Sequence, residues 1–462
     1  MNRVTKKLMQ SWANLGPRYL PFADAASDHL PLSRLLRLAL FQVSAGMALV
    51  LLVGTLNRVM IVELHVPASI VSVMISLPII FAPFRALIGF RSDNHKSALG
   101  WRRVPYIWKG ALVQFGGLSI MPFALLVLSG AGQSQQAPVW VGWVASGLAF
   151  LMVGAGIHIT QTVGLALATD LAPEIDQPKV VGLMYVMQLM GMIVSAIVFG
   201  WALQEFSPGK LIQVIQASAV LTIALNVISL WKQEPRTQTA KSLTKEPSFI
   251  ESWQTFAQGG YAIRRLFVVG FGTMAFSMNE VLLEPYGGQI LNMSVSETTM
   301  LTAILAVGGL IGFSWASRVL SKGTDPFYMA SMGALIGIPA FVLIVLSAPL
   351  ALKTLFLVGT FLIGFGGGLF SHGTLTATMQ FAPANQRGLA LGAWGAVQAT
   401  AAGIAIGLGG VIRDIVVALG ASHWLPEGLI EPTTGYSVVY FLEIGLLIAT
   451  IFSMTTLLPK KK

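Results

Sequence analysis

Gly154-Ala155-Gly156, leading to Ala172-Pro173, and Gly364-Phe365-Gly366, leading to Ala382-Pro383, stand 210 residues apart and decide how this chain is built. At the same offset, without a gap, Gly182 answers Gly392, Gln188 answers Gln398 and Gly200 answers Gly410. Earlier in each copy, Leu87-Ile88-Gly89-Phe90 returns as Leu310-Ile311-Gly312-Phe313, and Asn57-Arg58-Val59 as Asn279-Glu280-Val281. Chance supplies one such match, not all of them in register. The chain is two copies of one plan.

The plan is written for lipid. Of 462 residues, 55% are hydrophobic and 10% charged, with a mean hydropathy of +0.73. A soluble protein of this size carries charge on roughly a quarter of its residues, so much of this surface must face hydrocarbon. Forty-eight glycines suit helices that must approach closely where no hydrophobic effect drives them together. Apolar stretches long enough to cross ~30 Å of hydrocarbon fall near 36–62, 68–90, 105–129, 138–169, 179–203 and 209–231, then 265–291, 297–320, 327–347, 354–381, 388–417 and 436–458. This predicts an all-α membrane protein of about twelve transmembrane helices in two pseudo-symmetric six-helix halves. Zero cysteines exclude disulfides and thiolate chemistry.

Every Lys and Arg except Arg58, Arg85, Lys210, Lys353 and Arg413 falls on one face of this arrangement, which the positive-inside rule makes cytoplasmic, with both termini. The net charge of +10 is thus a topology signal, and no soluble basic domain exists to bind nucleic acid. The expected divisions are a cytoplasmic N-terminal segment (1–34), a first half (35–231), a cytoplasmic linker (232–263), a second half (264–458) and a basic tail (459–462). The N-terminal segment has no apolar core of a cleavable signal. Val4, Leu8, Trp12 and Leu15 share one helical face, so an interfacial helix or a solvated tail is expected there.

Two related six-helix units joined by a cytoplasmic linker form the major facilitator architecture, with a midplane cavity between the halves. The loop after the second span carries Gly89, Asp93, Lys96, Gly100, Arg102 and Arg103, similar to the facilitator loop signature. Asp93 can face a helix N-terminus and the neighbouring arginines, so Gly89, Asp93, Arg102, Arg103 and Asp170 are expected to latch the halves on the cytoplasmic side. In the second copy Ala316 and Ser317 stand where the aspartate would.

Ionised groups inside a span are costly and therefore functional candidates. Arg58 in span 1 aligns with Glu280 in span 7, a charge inversion that suggests attraction across the cavity, directly or through Glu284; a structural pair fixing helix register is the other reading. His158 and His372 could take a proton, a substrate or the magnesium of a chlorin ring, or simply bond between helices. Gln188, Gln398, Asn57 and Asn279 read as interhelical hydrogen-bonding groups. No phosphate loop, metal-ligand spacing or nucleophile with a base is present, so no enzyme, metal or nucleotide is expected. Gly364-Phe365-Gly366-Gly367-Gly368 reads as close packing in span 10.

Longer stretches narrow the family. Gly16-Pro17-Arg18-Tyr19-Leu20-Pro21-Phe22-Ala23-Asp24, Gly54-Thr55-Leu56-Asn57-Arg58-Val59-Met60-Ile61-Val62-Glu63-Leu64 and Ala82-Pro83-Phe84-Arg85-Ala86-Leu87-Ile88-Gly89-Phe90-Arg91-Ser92-Asp93 are three of them. Gly100-Trp101-Arg102-Arg103-Val104-Pro105-Tyr106 and Val281-Leu282-Leu283-Glu284-Pro285-Tyr286-Gly287-Gly288 are two more. Together, over nearly the whole chain, they resemble the PucC/LhaA family, the bacteriochlorophyll-delivery branch of the facilitators. The N-terminal wording is closer to the subgroup serving the core light-harvesting ring, with the peripheral antenna as the other client. The resemblance implies an assembly factor that delivers bacteriochlorophyll to, or chaperones, antenna polypeptides in the inner, intracytoplasmic photosynthetic membrane. It implies bacteriochlorophyll as cargo or bound pigment, and membrane lipids, antenna polypeptides, bacteriochlorophyll synthase and the reaction centre as partners. The expected pigment or cavity residues are Asn57, Arg58, Arg85, His158, Asn279, Glu280, Glu284, Tyr286 and His372, with Glu63 also distinctive. A non-transporting scaffold and a proton-coupled small-molecule transporter are the competing readings.

Overall fold

A chain immersed in hydrocarbon must satisfy its own backbone, and a helix does so within one segment. The computed structural model describes residues 30–78, 100–130, 138–173, 176–234, 262–381, 387–422 and 429–455, with positions 85, 88, 91, 92, 136 and 426. The expected interfacial helix, most of the linker and the basic tail lie outside the described residues, as do Gly89 and Asp93.

The helices are α1 (Leu32–Glu63), α2 (Ala68–Ser76), α3 (Val104–Leu128), α4 (Val139–Leu171), α5 (Gln177–Ala202) and α6 (Pro208–Leu230). There follow α7 (Ala262–Gln289), α8 (Val295–Leu320), α9 (Pro326–Ser347), α10 (Lys353–Phe381), α11 (Arg387–Ala421) and α12 (Pro432–Thr455). Among the described residues, 11 of these are long and apolar enough to cross a membrane; α2 is described only in its first turns. Starts are written locally. Ser207 Oγ accepts from the Lys210 amide at 3.2 Å to open α6, and Ser294 with Glu297 forms a reciprocal capping box on α8. Asp325 accepts from the Phe327 and Tyr328 amides at 2.8 and 2.9 Å to open α9.

The packing repeats with a period of six helices. α3 lies on α4 as α9 lies on α10, α3 on α6 as α9 on α12, and α1 on α5 as α7 on α11. The seams between halves obey the same exchange, since α5 meets α8 and α2 meets α11. This is the relation the repeated motifs require. Phe123, Trp140, Trp201 and Phe452 point outward, each at least 60% exposed, as lipid-facing side chains do.

Both copies of the Asn57/Asn279 motif sit where a helix is irregular. In α1, π-helical turns at Val50–Leu56 and Val59–Glu63 flank Asn57 and Arg58. In α7, a 3₁₀ turn at Met278–Val281 holds Asn279 and Glu280. Such departures from the α register concentrate at functional sites.

Candidate functional site

Between the halves lies a cavity of about 490 Å³. The first half contributes Arg85, Tyr185 and Gln188; the second contributes Thr273, Ser277 and Glu280 from α7 and Trp394 and Gln398 from α11. Phe276, Phe313 and Phe370 form aromatic walls. Its glycine-rich side is the expected close contact of span 10. A Cβ on Gly368 would stand 2.5 Å from the Gly309 carbonyl, and one on Gly364 would overlap the Leu305 carbonyl. Only small residues let α8 and α10 meet there. Arg85 Nε donates to Thr162 Oγ1 at 2.9 Å, and His158 and Tyr185 are within electrostatic reach of it. Gln161 donates to Gln188 at 3.1 Å and to Gln42 at 2.9 Å, linking α4, α5 and α1.

A second hollow backs onto the same wall. Ile263, Leu266, Phe267, Gly270, Phe271, Met274 and Val397 line a groove of about 390 Å³ on the outer side of α7 and α11. Phe267 and Phe271, stacked at 6.3 Å, are 60% and 40% exposed. Thr273, Phe276, Trp394 and Gln398, on the same two helices, face the cavity.

The other expected cavity residues divide. Arg58 does not reach Glu280: it forms an ion pair with Glu63 and donates to the Met293 carbonyl at 3.1 Å. The reason is the π turn after it, which closes i→i+5 and brings Glu63 back over Arg58. Asn57 Nδ2 donates to the Glu280 carbonyl at 3.4 Å, joining α1 to α7 as an interhelical group should. Glu284 is buried and accepts from Thr302 at 3.0 Å. Tyr286 is fully buried in aromatic packing rather than facing the cavity. It stacks on Phe356 at 5.3 Å and meets Tyr436 and Tyr440 edge-on. His372 packs on the Phe313 ring at 4.2 Å, one residue from cavity-lining Ser371.

Glu443 was absent from the sequence expectations. It is fully buried in α12, and its Oε1 accepts from the Asn279 backbone amide at 2.7 Å and from Asn279 Nδ2 at 3.0 Å. The rule that singles out Glu280, a charge inside an apolar run, singles it out equally.

At the end of the bundle where α3 begins, Arg103 donates to Asp170 at 3.0 Å and to Ser92 at 2.6 Å, and Arg102 lies 3.6 Å from Asp170. The Glu234 carboxylate accepts from the amides of Arg102, Arg103 and Val104. The arginine–aspartate cluster exists as expected, but among the described residues it ties the α2–α3 loop, α4 and the end of α6, all within the first half.

Residues 55–462 match the family model described as PUCC protein. The chain belongs to the PUCC family. It is 64% identical over 420 residues to Protein PucC of Rhodovulum sulfidophilum (90% of this chain, 92% of that one) and 57% identical over 460 residues to Protein PucC of Cereibacter sphaeroides (99% and 98%). It is 25% identical over 392 residues to the bacteriochlorophyll synthase 44.5 kDa chain of Rhodobacter capsulatus (83% and 88%). The relatives at 55–64% identity carry the PucC name. Among solved structures it resembles the D-xylose–proton symporter, with a TM-score of 0.70 at 14% identity over 92% of this chain and 97% of that one. It also resembles a bacterial homologue of the lysosomal transporter Spinster, at 0.65 and 12% over 91% and 95%. These likenesses give the major facilitator fold, and with it a multi-pass membrane protein.

Proposed function

We propose that this protein is a light-harvesting assembly factor that holds a bacteriochlorophyll and passes it to antenna polypeptides, chaperoning them as they receive it. It works without making or breaking covalent bonds, in the inner photosynthetic membrane with both termini cytoplasmic. The relatives named PucC, and one named for bacteriochlorophyll synthase, support a place in photosynthetic complex assembly.

The observation that carries the pigment reading is the wall shared by cavity and groove. A volume of about 490 Å³ suits a drug-sized ligand, and a chlorin ring with a long hydrocarbon tail exceeds that class. The apolar groove across α7 and α11 gives the tail a place in lipid while the ring meets Arg85, Gln398 and the aromatic walls. His158 and His372 are the imidazoles available to such a ring's magnesium. A scaffold would need no such hollow.

Mild-detergent purification from phototrophically grown cells, with an absorption spectrum and identification of attached polypeptides, tests this. Gly395 lines the cavity, and a Cβ there meets nothing within 4 Å, so Gly395→Leu directs its side chain from an open position into the cavity. The carrier reading expects bacteriochlorophyll with the wild type and at least a several-fold loss with G395L. Antenna polypeptides without pigment, unaffected by G395L, would favour the scaffold. Neither pigment nor polypeptides would refute both.

A further inference from the structure

Three acids of the second half lie around the break in α7. Glu280 lines the central cavity, Glu284 is buried one turn later in α7, and Glu443 is fully buried in α12. Glu443 is within electrostatic reach of Glu280, as Glu280 is of Glu284. The nearby arginines have partners of their own: Arg85, which lines the cavity with Glu280, donates to Thr162, Arg58 is held by Glu63 and Met293 on the α1 side, and Arg413 of α11 by Asp414 and Gln289. From α8 the Thr302 hydroxyl donates to Glu284, and α9 turns the serines Ser331 and Ser347 inward.

A separate observation points to what these acids hold. The Tyr440 hydroxyl has no hydrogen-bond partner among the described residues although Tyr440 is fully buried, and it lies within electrostatic reach of both Glu443 and Glu284. Glu284 Oε2, Glu443 Oε2 and Asn57 Oδ1 are likewise unpartnered. Buried polar atoms are nearly always hydrogen-bonded, and ionised carboxylates without cations cost too much inside a membrane helix. A metal ion is a poor answer, because no three acidic or histidine side chains among the described residues converge as ligands. A proton satisfies a carboxyl one at a time. It turns an oxygen into a donor that a neighbouring carboxylate or phenol oxygen can accept.

We propose that Glu280, Glu284 and Glu443 form a proton-binding site, which exchanges protons with the central cavity through Glu280 and sets the shape of the α7 break. Each event moves one proton, from a carboxyl to cavity water or back, with no electron transfer. The mechanical link is Glu443 Oε1, which accepts both Asn279 donors at the 3₁₀ turn. A charge on Glu443 tightens those bonds and repels Glu280 in the cavity wall. The inference does not depend on the cargo.

Infrared spectroscopy of the full-length protein in lipid reads the site directly. The expected result is a protonated-carboxyl band at neutral pH that shifts in D₂O and falls at alkaline pH. Each of Glu280→Gln, Glu284→Gln and Glu443→Gln should remove its own component. Glutamine keeps an oxygen that accepts from Asn279, and thermal unfolding verifies that each variant folds. No such band in the wild type, a band that neither exchanges nor titrates, or a band untouched by all three variants would overturn the proposal. The hinge has its own readout, because the chain contains no cysteine. With Gly395→Cys as the single thiol, Glu443→Gln should match wild type in labelling rate at neutral pH and differ several-fold at one alkaline pH. Equal rates at both pH values would sink the link to α7.

Discussion

Arg58 shows what one side chain in a membrane can and cannot disclose. Its charge inside an apolar span marked it as a site residue, and the internal repeat set it against Glu280. The partner in the structure is Glu63, five residues along, which an ideal α-helix would place well off the face of Arg58. Only the π turn aligns them, and no sequence pattern announces a π turn. Removing one member leaves a charge largely out of water, so Arg58→Met should lower stability by about 3 kcal/mol, at the low end for a broken buried pair because Glu63 keeps some solvent. The double variant Arg58→Met/Glu63→Met should regain most of that loss. An Arg58→Glu/Glu280→Arg exchange should regain none. Thermal unfolding of the purified protein in detergent distinguishes these, and full rescue by the exchange would contradict the observed pairing. Glu443 teaches the converse: it was as readable as Glu280, being an acid amid Tyr440 to Ala449, but it has no counterpart in the repeat to draw attention to it.

Elements were more legible than contacts, because lipid enforces a simple rule on length and apolarity. The observed ends of α3 to α12 differ from the expected spans by a few residues, most at α11 and α12. What periodicity could not show was where helices touch, and glycines decide that here. A Cβ on Gly364 would meet the Leu305 carbonyl, and one on Gly312 the Phe365 carbonyl, both backbone atoms that cannot swing away. Gly364→Ala should therefore destabilise by about 1–3 kcal/mol through overpacking, although alanine is the better helix former. Gly395→Ala, with open space around its Cβ, should be neutral or slightly stabilising. Melting temperatures of the pair test this, and an equal response would mean the α8–α10 contact is not what limits substitution. Glu234 is an element-scale device of another kind. It sits past α6 yet caps the start of α3 through three amides, so Glu234→Ala should cost about 1–2 kcal/mol. Nothing local to α3 in the sequence foretells a cap lent from so far along the chain.

At the scale of the molecule, the packing pairs recur six helices apart, which is consistent with the two-part plan that the repeat predicts. The loop motif suggested a cytoplasmic latch between halves, but its described contacts stay within the first half. A direct polar tie between halves lies at the end opposite the termini, where the Ser69 amide at the start of α2 donates to Asp414 of α11 at 2.7 Å. One turn on, Ser72 donates to the Gly407 carbonyl at 3.2 Å, and a Cβ on Gly410 would crowd the Ser72 hydroxyl. An aspartate at a helix N-terminus is stabilised by its free amides and dipole, and Arg413 beside it fixes the carboxylate at 2.8 Å. The seam thus joins α2 and α11 by charge-assisted bonds and small-residue packing, while the cavity lies between the same halves below it. Loosening the seam should open the cavity from that end. In a chain with Gly395→Cys as its single thiol, Asp414→Ala should raise labelling by a membrane-impermeant reagent several-fold from the side opposite the termini. Asp414→Asn, which keeps an acceptor for Ser69, should fall between Asp414→Ala and the parent. If Asp414→Ala labels at the parent rate and still folds, the α2–α11 seam is held by its packing, and the carboxylate only orients Arg413.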